Sequence, residues 1–463
     1  MKVLLIVYDN ESYIHSFPIG IAYLSSVIRE NNHDVVIYSQ DIHHYKDEHL
    51  TSYLDQNNFD AIGIGVIAGY YQYGKLLKIS EAINSSSNRP KYYILGGHGP
   101  TPDPEYFLNK TGADIVVMGE GEVVILNLFE AIENKKSFHD VLGIAFKEDH
   151  KTVINHRQPL IENIDSIPWP AYDMFDINHY RLTRSPNTTN DAFSMSILSA
   201  RGCKFKCNFC YRMDEGYRPR KAGLIMQEIR YLQEEYGINH IEFMDELLMS
   251  SKERIIEICE AILKSGLKFK WYCNGRLNYA RPEELKMMKR AGCVFINYGI
   301  ESFDDKVLRN MNKALTTAQI ENGIIATLES GISPGFNIIW GNIGESKETL
   351  MKGVDFLLKY DDCSQMRTIR PVTPYPGSPL YYYAIDNGLL EGVADFYENK
   401  HLNSDLLSVN FTDLSDDEFY LALKTANSIL INNYYHKRKR MVMKQLENFY
   451  DKKDVSFRGF RQT

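Results

Sequence analysis

Three thiols crowd one short stretch of the chain, Cys203-Lys204-Phe205-Lys206-Cys207-Asn208-Phe209-Cys210. The spacing is C-x3-C-x2-C. Thiolates are soft ligands that suit zinc or iron–sulfur clusters. A structural zinc site needs four ligands, usually in paired spacings, and no second C-x2-C exists in the sequence. Three cysteines on one loop can instead hold three irons of a 4Fe–4S cluster, leaving the fourth iron open to substrate chemistry. The other cysteines, Cys259, Cys273, Cys293 and Cys363, stand apart in sequence and read as small buried hydrophobes. None of the seven lies in the first 202 residues, which argues against a secreted disulfide framework.

Further polar groups stand where predicted strands end. They are Phe243-Met244-Asp245-Glu246, Tyr272-Cys273-Asn274-Gly275-Arg276, Gly299-Ile300-Glu301-Ser302, Trp340-Gly341-Asn342-Ile343-Gly344-Glu345-Ser346 and Pro374-Tyr375-Pro376-Gly377-Ser378-Pro379. The cysteine spacing, Phe209 before the third cysteine and these strand ends resemble the radical SAM (S-adenosylmethionine) superfamily over about residues 1–390. The resemblance implies that Cys203, Cys207 and Cys210 ligate a 4Fe–4S cluster whose open iron chelates SAM, with Phe209 near the adenine. It implies further SAM contacts from Asp245 or Glu246, Asn274, Arg276, Glu301, Ser302 and Gly341. Two departures stand out. The glycines of the usual Gly-Gly-Glu are absent before Glu246, and Ile343 replaces the proline of a G-x-P-G-E-T motif.

Three glycine-bearing segments precede the cysteines: Phe17-Pro18-Ile19-Gly20, Gly96-Gly97-His98-Gly99-Pro100-Thr101 and Gly119-Glu120-Gly121-Glu122. Glycine lets backbone approach a ligand closely. Together they resemble the cobalamin (B12)-binding domain found ahead of many radical SAM domains. That resemblance assigns Pro18, Gly20, Gly96, Gly97, Thr101, Gly119, Glu120, Gly121 and Glu122 to cobalamin. A nicotinamide Rossmann site would need G-x-G-x-x-G after the first strand, where Tyr8-Asp9-Asn10-Glu11-Ser12-Tyr13 stands instead. The Asp-x-His-x-x-Gly cobalt-ligating motif is also missing. His43 and His44 read as polar loop residues, His15 is the better-placed histidine, and cobalamin is expected without a protein histidine on cobalt.

The elements that must position these groups are α/β throughout. Near-continuous Val/Ile strands at Lys2–Tyr8, Asp34–Ser39, Asp60–Ile67, Lys91–Leu95 and Asp114–Met118 alternate with amphipathic stretches, which predicts a doubly wound parallel sheet over 1–140. A hairpin and Pro-marked linker follow over 141–192. Six βα units over 193–390 predict a (β/α)6 partial barrel with chemistry at the carboxyl ends of its strands. Its strands are expected at Ser194–Ala200, His240–Asp245, Lys268–Asn274, Val294–Glu301, Pro334–Gly341 and Gln365–Thr373. Gly237, Gly266, Gly292 and Gly331 sit where its helices should stop. Residues 391–463 form a helical C-terminal region.

A net charge of -8 excludes general affinity for nucleic-acid backbone, and the run His436–Arg440 reads as a solvated helix face. No run of about 18 apolar residues predicts a membrane span. The short apolar start, broken by Asp9, Asn10 and Glu11, is a strand rather than a signal peptide, so a cytoplasmic protein is expected. The resemblance implies a cobalamin-dependent radical SAM methyltransferase acting on an unactivated carbon of a small molecule, reduced by an electron donor such as flavodoxin or ferredoxin. Rearrangement, cyclisation or ring contraction without methyl transfer is the alternative within the class. A non-catalytic binding or sensor protein is the alternative outside it, and the complete cysteine triad argues against that one.

Overall fold

Apolar runs too short for helices, rich in Val and Ile, form the parallel strands β1 (Lys2–Val7), β2 (Asp34–Ser39), β3 (Ala61–Gly65), β4 (Tyr92–Gly96) and β5 (Ile115–Val117). These belong to a computed structural model that describes residues 1–185, 187–213, 215–457 and 460. The strand order is β2-β1-β3-β4-β5, so the topological switch point lies between β1 and β3. Ligand crevices of open α/β sheets form there, beyond the carboxyl ends of the strands. The hairpin β6 (Ile144–Glu148) and β7 (Lys151–Ile154) turns at Asp149-His150 and adds to β5 antiparallel. It thus forms the edge of the first sheet.

The linker is an aromatic wedge. Phe17 stacks on Tyr172 and meets Phe175 and Tyr180 edge-on. Tyr180 donates to Asp41 at 2.6 Å, while Tyr172 donates to Glu228 of the barrel helix Ala222–Tyr236 at 2.8 Å. One short segment therefore grips both domains.

The second sheet begins with β8 (Ser194–Ile197). A short antiparallel pair follows, β9 (Ala200–Arg201) with β10 (Arg218–Pro219), and clamps the base of the cysteine loop. Then come β11 (His240–Phe243), β12 (Lys270–Gly275), β13 (Cys293–Glu301), β14 (Ser333–Trp340) and β15 (Arg370–Pro371). The order β8-β11-β12-β13-β14-β15 is sequential, and every neighbouring pair is parallel, which is an open half-barrel. Gly237 and Gly266 cap their helices in the left-handed conformation, at φ +67° and +73°, as the sequence pattern requires. The sixth strand is only two residues long, shorter than its sequence suggests. Pro371 has no N–H to give a ladder, and Arg367 leaves the strand line to pair with Asp361 and, at 2.8 Å, Asp362.

The C-terminal region ties the molecule together. The helix Asp416–Asp451 starts with a Ser415–Glu418 capping box and buries Phe419, Leu423, Ala426 and Leu430, one helical stripe. Phe419 stacks on Trp340 of β14 at 4.2 Å. Before it, Tyr381, Phe396, Tyr397 and Val409 pack into the core of the first sheet with Tyr73 and Phe107. Among the described residues, no helix is long and apolar enough to cross a membrane.

Candidate active site between the sheet and the half-barrel

The cysteine loop is held from every side before any ligand enters. Gly202 turns it at φ +81°, where a Cβ would stand 2.5 Å from the Gly216 carbonyl. The Gly202 N–H donates to Glu246 at 2.9 Å. Asn208 and Asn342, the latter fully buried at the end of β14, exchange amide hydrogen bonds at 3.2 and 3.0 Å. Asn312 donates to the Lys206 carbonyl at 2.7 Å. Arg276 lays its guanidinium 3.5 Å from the Phe205 ring centroid and donates to the carbonyls of Lys313 and Ala314. It also reaches the Cys207 sulfur. Such a loop pays its ordering entropy on folding rather than on ligand binding.

Burial, and the sulfurs beside each other, raise the Cys203 thiol and push Cys210 up to about 11. Arg276 and Lys313 offset burial only in part, so three thiolates there need further positive charge, which iron of a 4Fe–4S cluster supplies; the donor set fits. The remaining cysteines are not all isolated as expected. Cys273 and Cys293 sit on adjacent strands in hydrogen-bond contact, with Cys259 beside them. Alternate residues of neighbouring strands share a face, which linear spacing hides. All three are buried in the barrel wall, and burial holds Cys259 and Cys273 as thiols.

The strand-end residues divide into two groups. Asp245 is 1% exposed, and its carboxylate accepts from the Ser199 N–H at 2.6 Å, the Ser199 hydroxyl and the Ala200 N–H at 3.1 Å. Burial lifts it to about 6, and its hydrogen-bonding capacity is spent inside the barrel. Glu246, the next residue, points the other way and lines the cavity. Asn274 donates to the Asp245 carbonyl, and an asparagine chain runs from it through Asn297 to Asn337 across β12, β13 and β14. Arg276, expected at SAM, is committed to the cysteine loop as described.

Glu301 sits at a bulge in β13 with φ +68°, a conformation that non-glycine residues adopt only under constraint. Its carboxylate folds back over Gly299, where any Cβ would collide with it, and pairs with Lys313 at 2.8 Å. Both side chains are nearly buried. The Lys313 ammonium lies 5.7 Å from the Phe209 ring centroid. Ser302 is buried against Glu345, whose carboxyl burial raises to about 7. Gly341, at φ +95°, is required by packing: a Cβ would stand 2.7 Å from the Phe419 ring.

A cavity of about 720 Å³ opens between the sheet and the half-barrel, within the range of cofactor sites. It lies at the switch point. Its floor is bare backbone at Gly63, Gly65 and Gly96, and it runs down past Val3, Ile94 and Phe129 under the helices Ile19–Glu30 and Gly121–Glu133. A Cβ at Gly63 would press on Leu5 at 2.8 Å, whereas Gly20 and Gly119 face open space. The far wall is Leu198, Met213 and Met244 of the barrel. Glycine backbone on the floor lets a broad, flat macrocycle lie close to it, and a large cofactor such as cobalamin fits this space.

Pro18, Gly20, Gly96, Gly97, Gly119, Glu120, Gly121 and Glu122 all line the cavity, and Thr101 does not. Thr101 is buried and donates to the Gly97 carbonyl, holding the turn where Gly97 takes φ +92°. Glu120 and Glu122 reach the cavity edge, but their charges go to Arg201, at 2.9 and 2.5 Å, and to Arg218, 2.8 Å from Glu120. Burial opposes ionisation of Glu120; Arg218 and Arg201 outweigh it and hold the carboxyl below its usual range. This buried network joins the sheet to the cysteine loop two residues before Cys203. Sequence reading missed Arg201 and Lys313, and it quoted Asn208 and Asn342 within motifs without giving them a role. For Arg201 the signal was its place two residues before the first cysteine.

Known proteins resemble this chain in sequence and in fold. Residues 7–129 match the B12 binding domain model and residues 197–357 the Radical SAM superfamily model. The chain is 30% identical over 401 residues to an uncharacterized methyltransferase, PH0819, of Pyrococcus horikoshii, covering 84% of each chain. It is 26% identical to the anaerobic magnesium-protoporphyrin IX monomethyl ester cyclase of Rubrivivax gelatinosus, covering 79% of this chain and 65% of the relative. In fold it is similar to the radical S-adenosylmethionine methyltransferase TsrM from Kitasatospora setae, solved with cobalamin and a 4Fe–4S cluster. The TM-score is 0.70 at 17% identity, with 83% of this chain and 78% of that chain covered. The chain belongs to the radical SAM enzymes that carry an N-terminal B12-binding domain, with a 4Fe–4S cluster, SAM and cobalamin as its cofactors.

Proposed function

We propose that this enzyme transfers a methyl group to an unactivated carbon of a small molecule. The observation that carries the reading is one shared space: the cavity over the sheet is walled by Met213, Met244 and Glu246 of the half-barrel, and Glu246 bonds the cysteine loop itself. When bound, the cluster and SAM supply a 5′-deoxyadenosyl radical and cobalamin supplies the methyl group. The chain's own residues bind, orient and exclude water. Glu246 takes the amino group of SAM, since Asp245 is spent inside the barrel. Phe209 packs on the adenine of SAM, and Glu301 faces the ribose and carboxylate of SAM. The half-exposed asparagine chain of the lumen offers a small polar substrate its donors and acceptors. A flavodoxin or ferredoxin in the reducing cytoplasm delivers the electron.

Reconstituted enzyme given its substrate and methyl-labelled SAM is expected to yield labelled product, 5′-deoxyadenosine and S-adenosylhomocysteine. Turnover with deoxyadenosine but unlabelled product supports ring formation or rearrangement instead, the reading that the cyclase relative favours.

Glu301→Gln tests the SAM assignment separately. It leaves the nearly buried Lys313 without its counter-charge, and removing one partner of such a pair costs about 3–5 kcal/mol locally. SAM affinity is expected to fall at least about tenfold, or about 1.4 kcal/mol. Iron content is expected to stay at the wild-type value, because Glu301 is not one of the thiols assigned to the cluster. Equilibrium SAM binding beside an iron assay checks both, and an unchanged SAM affinity removes Glu301 from the site.

A further inference from the structure

At the rim of the cobalamin cavity, on the side of β1 and β2, three ligating side chains converge. Asp9 follows β1, His15 lies in the loop before the helix Ile19–Glu30, and His44 follows β2. One ligand atom from each lies within 4.8 Å of the others. His44 Nδ1 is 2.8 Å from Asp9 Oδ2, and His15 Nε2 is 3.6 Å from Asp9 Oδ1. Linear reading took His44 for a solvated loop residue; the structure instead ties its exposed ring to Asp9.

A hydrogen-bonded Asp–His pair accounts for His44 but not for His15. The His15 side chain is 4% exposed, and its Nε2 has no hydrogen-bond partner. A buried ring nitrogen left without a partner is costly. The ring is held in place by a hydrogen bond with the Asp41 backbone, as ligating imidazoles are commonly held through one nitrogen while the other faces the metal. Asp9 is fixed too, since its Oδ1 accepts the Glu11 N–H at 2.7 Å.

We propose that Asp9, His15 and His44 form a binding site for one divalent transition-metal ion of the zinc class. Two imidazoles and a carboxylate are a borderline-soft donor set that suits Zn²⁺ and leaves a fourth position for water. Exposed His44 gives the ion its entry path. The ion closes the β1 loop, whose residues His15, Phe17 and Pro18 line the cobalamin cavity, onto the segment after β2. It is a structural clamp on the rim of the cofactor site. Both ring nitrogens of His15 are then engaged away from cobalt, in keeping with the expectation of cobalamin without a protein histidine.

The test uses the full chain with Cys203, Cys207 and Cys210 replaced by alanine, so that the cluster thiols cannot take up zinc, and without added cobalamin. Calorimetric titration with zinc chloride is expected to show about one site per chain. Cobalt(II) chloride is expected to give visible bands of a low-coordinate nitrogen–oxygen site. Both signals are expected to disappear in His15→Ala and in His44→Ala. His44 is exposed, so its variant keeps the fold, which circular dichroism checks. Absence of the zinc site, or unchanged binding in His44→Ala, overturns the proposal. So does nitrogen splitting in the electron paramagnetic resonance spectrum of bound cob(II)alamin that vanishes in His15→Ala, because the imidazole then belongs to cobalt.

Discussion

Replacing Cys203, Cys207 and Cys210 together by alanine is expected to yield a chain that folds, holds no iron and forms no 5′-deoxyadenosine. In the proposed assignment the three thiols are the whole protein ligand set of the cluster. Cys259, Cys273 and Cys293 cannot substitute, because they are buried in the barrel wall, and Cys363 is buried beside Asp361. Folding survives because the loop is anchored elsewhere, through Gly202 to Glu246, Asn208 to Asn342 and Arg201 to Glu120 and Glu122. Anaerobic reconstitution is expected to take iron from about four per chain in the wild type to background in the variant. Eight irons in the wild type would mean a second cluster. Iron or deoxyadenosine above background in the variant would mean that the cluster sits elsewhere.

Gly96→Leu is expected to abolish cobalamin binding while leaving the cluster untouched. Gly96 ends β4 in ordinary strand conformation, so a side chain there brings no backbone strain. Its Cβ would meet nothing closer than the Val117 carbonyl at 3.7 Å, so the fold accepts the residue. The leucine then projects from the floor into the cavity and takes the volume the cofactor needs. Affinity is expected to fall at least about 100-fold, or about 2.7 kcal/mol. The absorbance of cobalamin retained after gel filtration reads this directly, and thermal unfolding of the apo-chain controls for stability. A variant that retains cobalamin like the wild type would move the cofactor out of this cavity.

Much of this protein was legible before any coordinates, for a physical reason. Strand and helix periods, glycine stops and the eight-residue cysteine motif are local, and local chemistry survives in a linear reading. Gly237 and Gly266 end helices because only glycine takes the left-handed cap at no steric cost, whatever surrounds it. The cysteine triad needs no partner from afar to declare its donor set.

What tertiary structure decided was where the charges go. Glu120 and Glu122 read as cofactor contacts, yet Arg201 and Arg218, some 80 and more residues on, take their charge. Asp245 and Glu246 are interchangeable on paper; one turns into the barrel to meet Ser199, and the other faces the cavity. Glu301 carried a signal in Gly-x-Glu, but its partner Lys313 stands in no motif. His44 reads as a loop residue until a left-handed turn brings it to Asp9. The affinity of an ionisable group for a ligand, a metal or a counter-ion depends on its desolvation, and desolvation exists only once distant segments have packed around it.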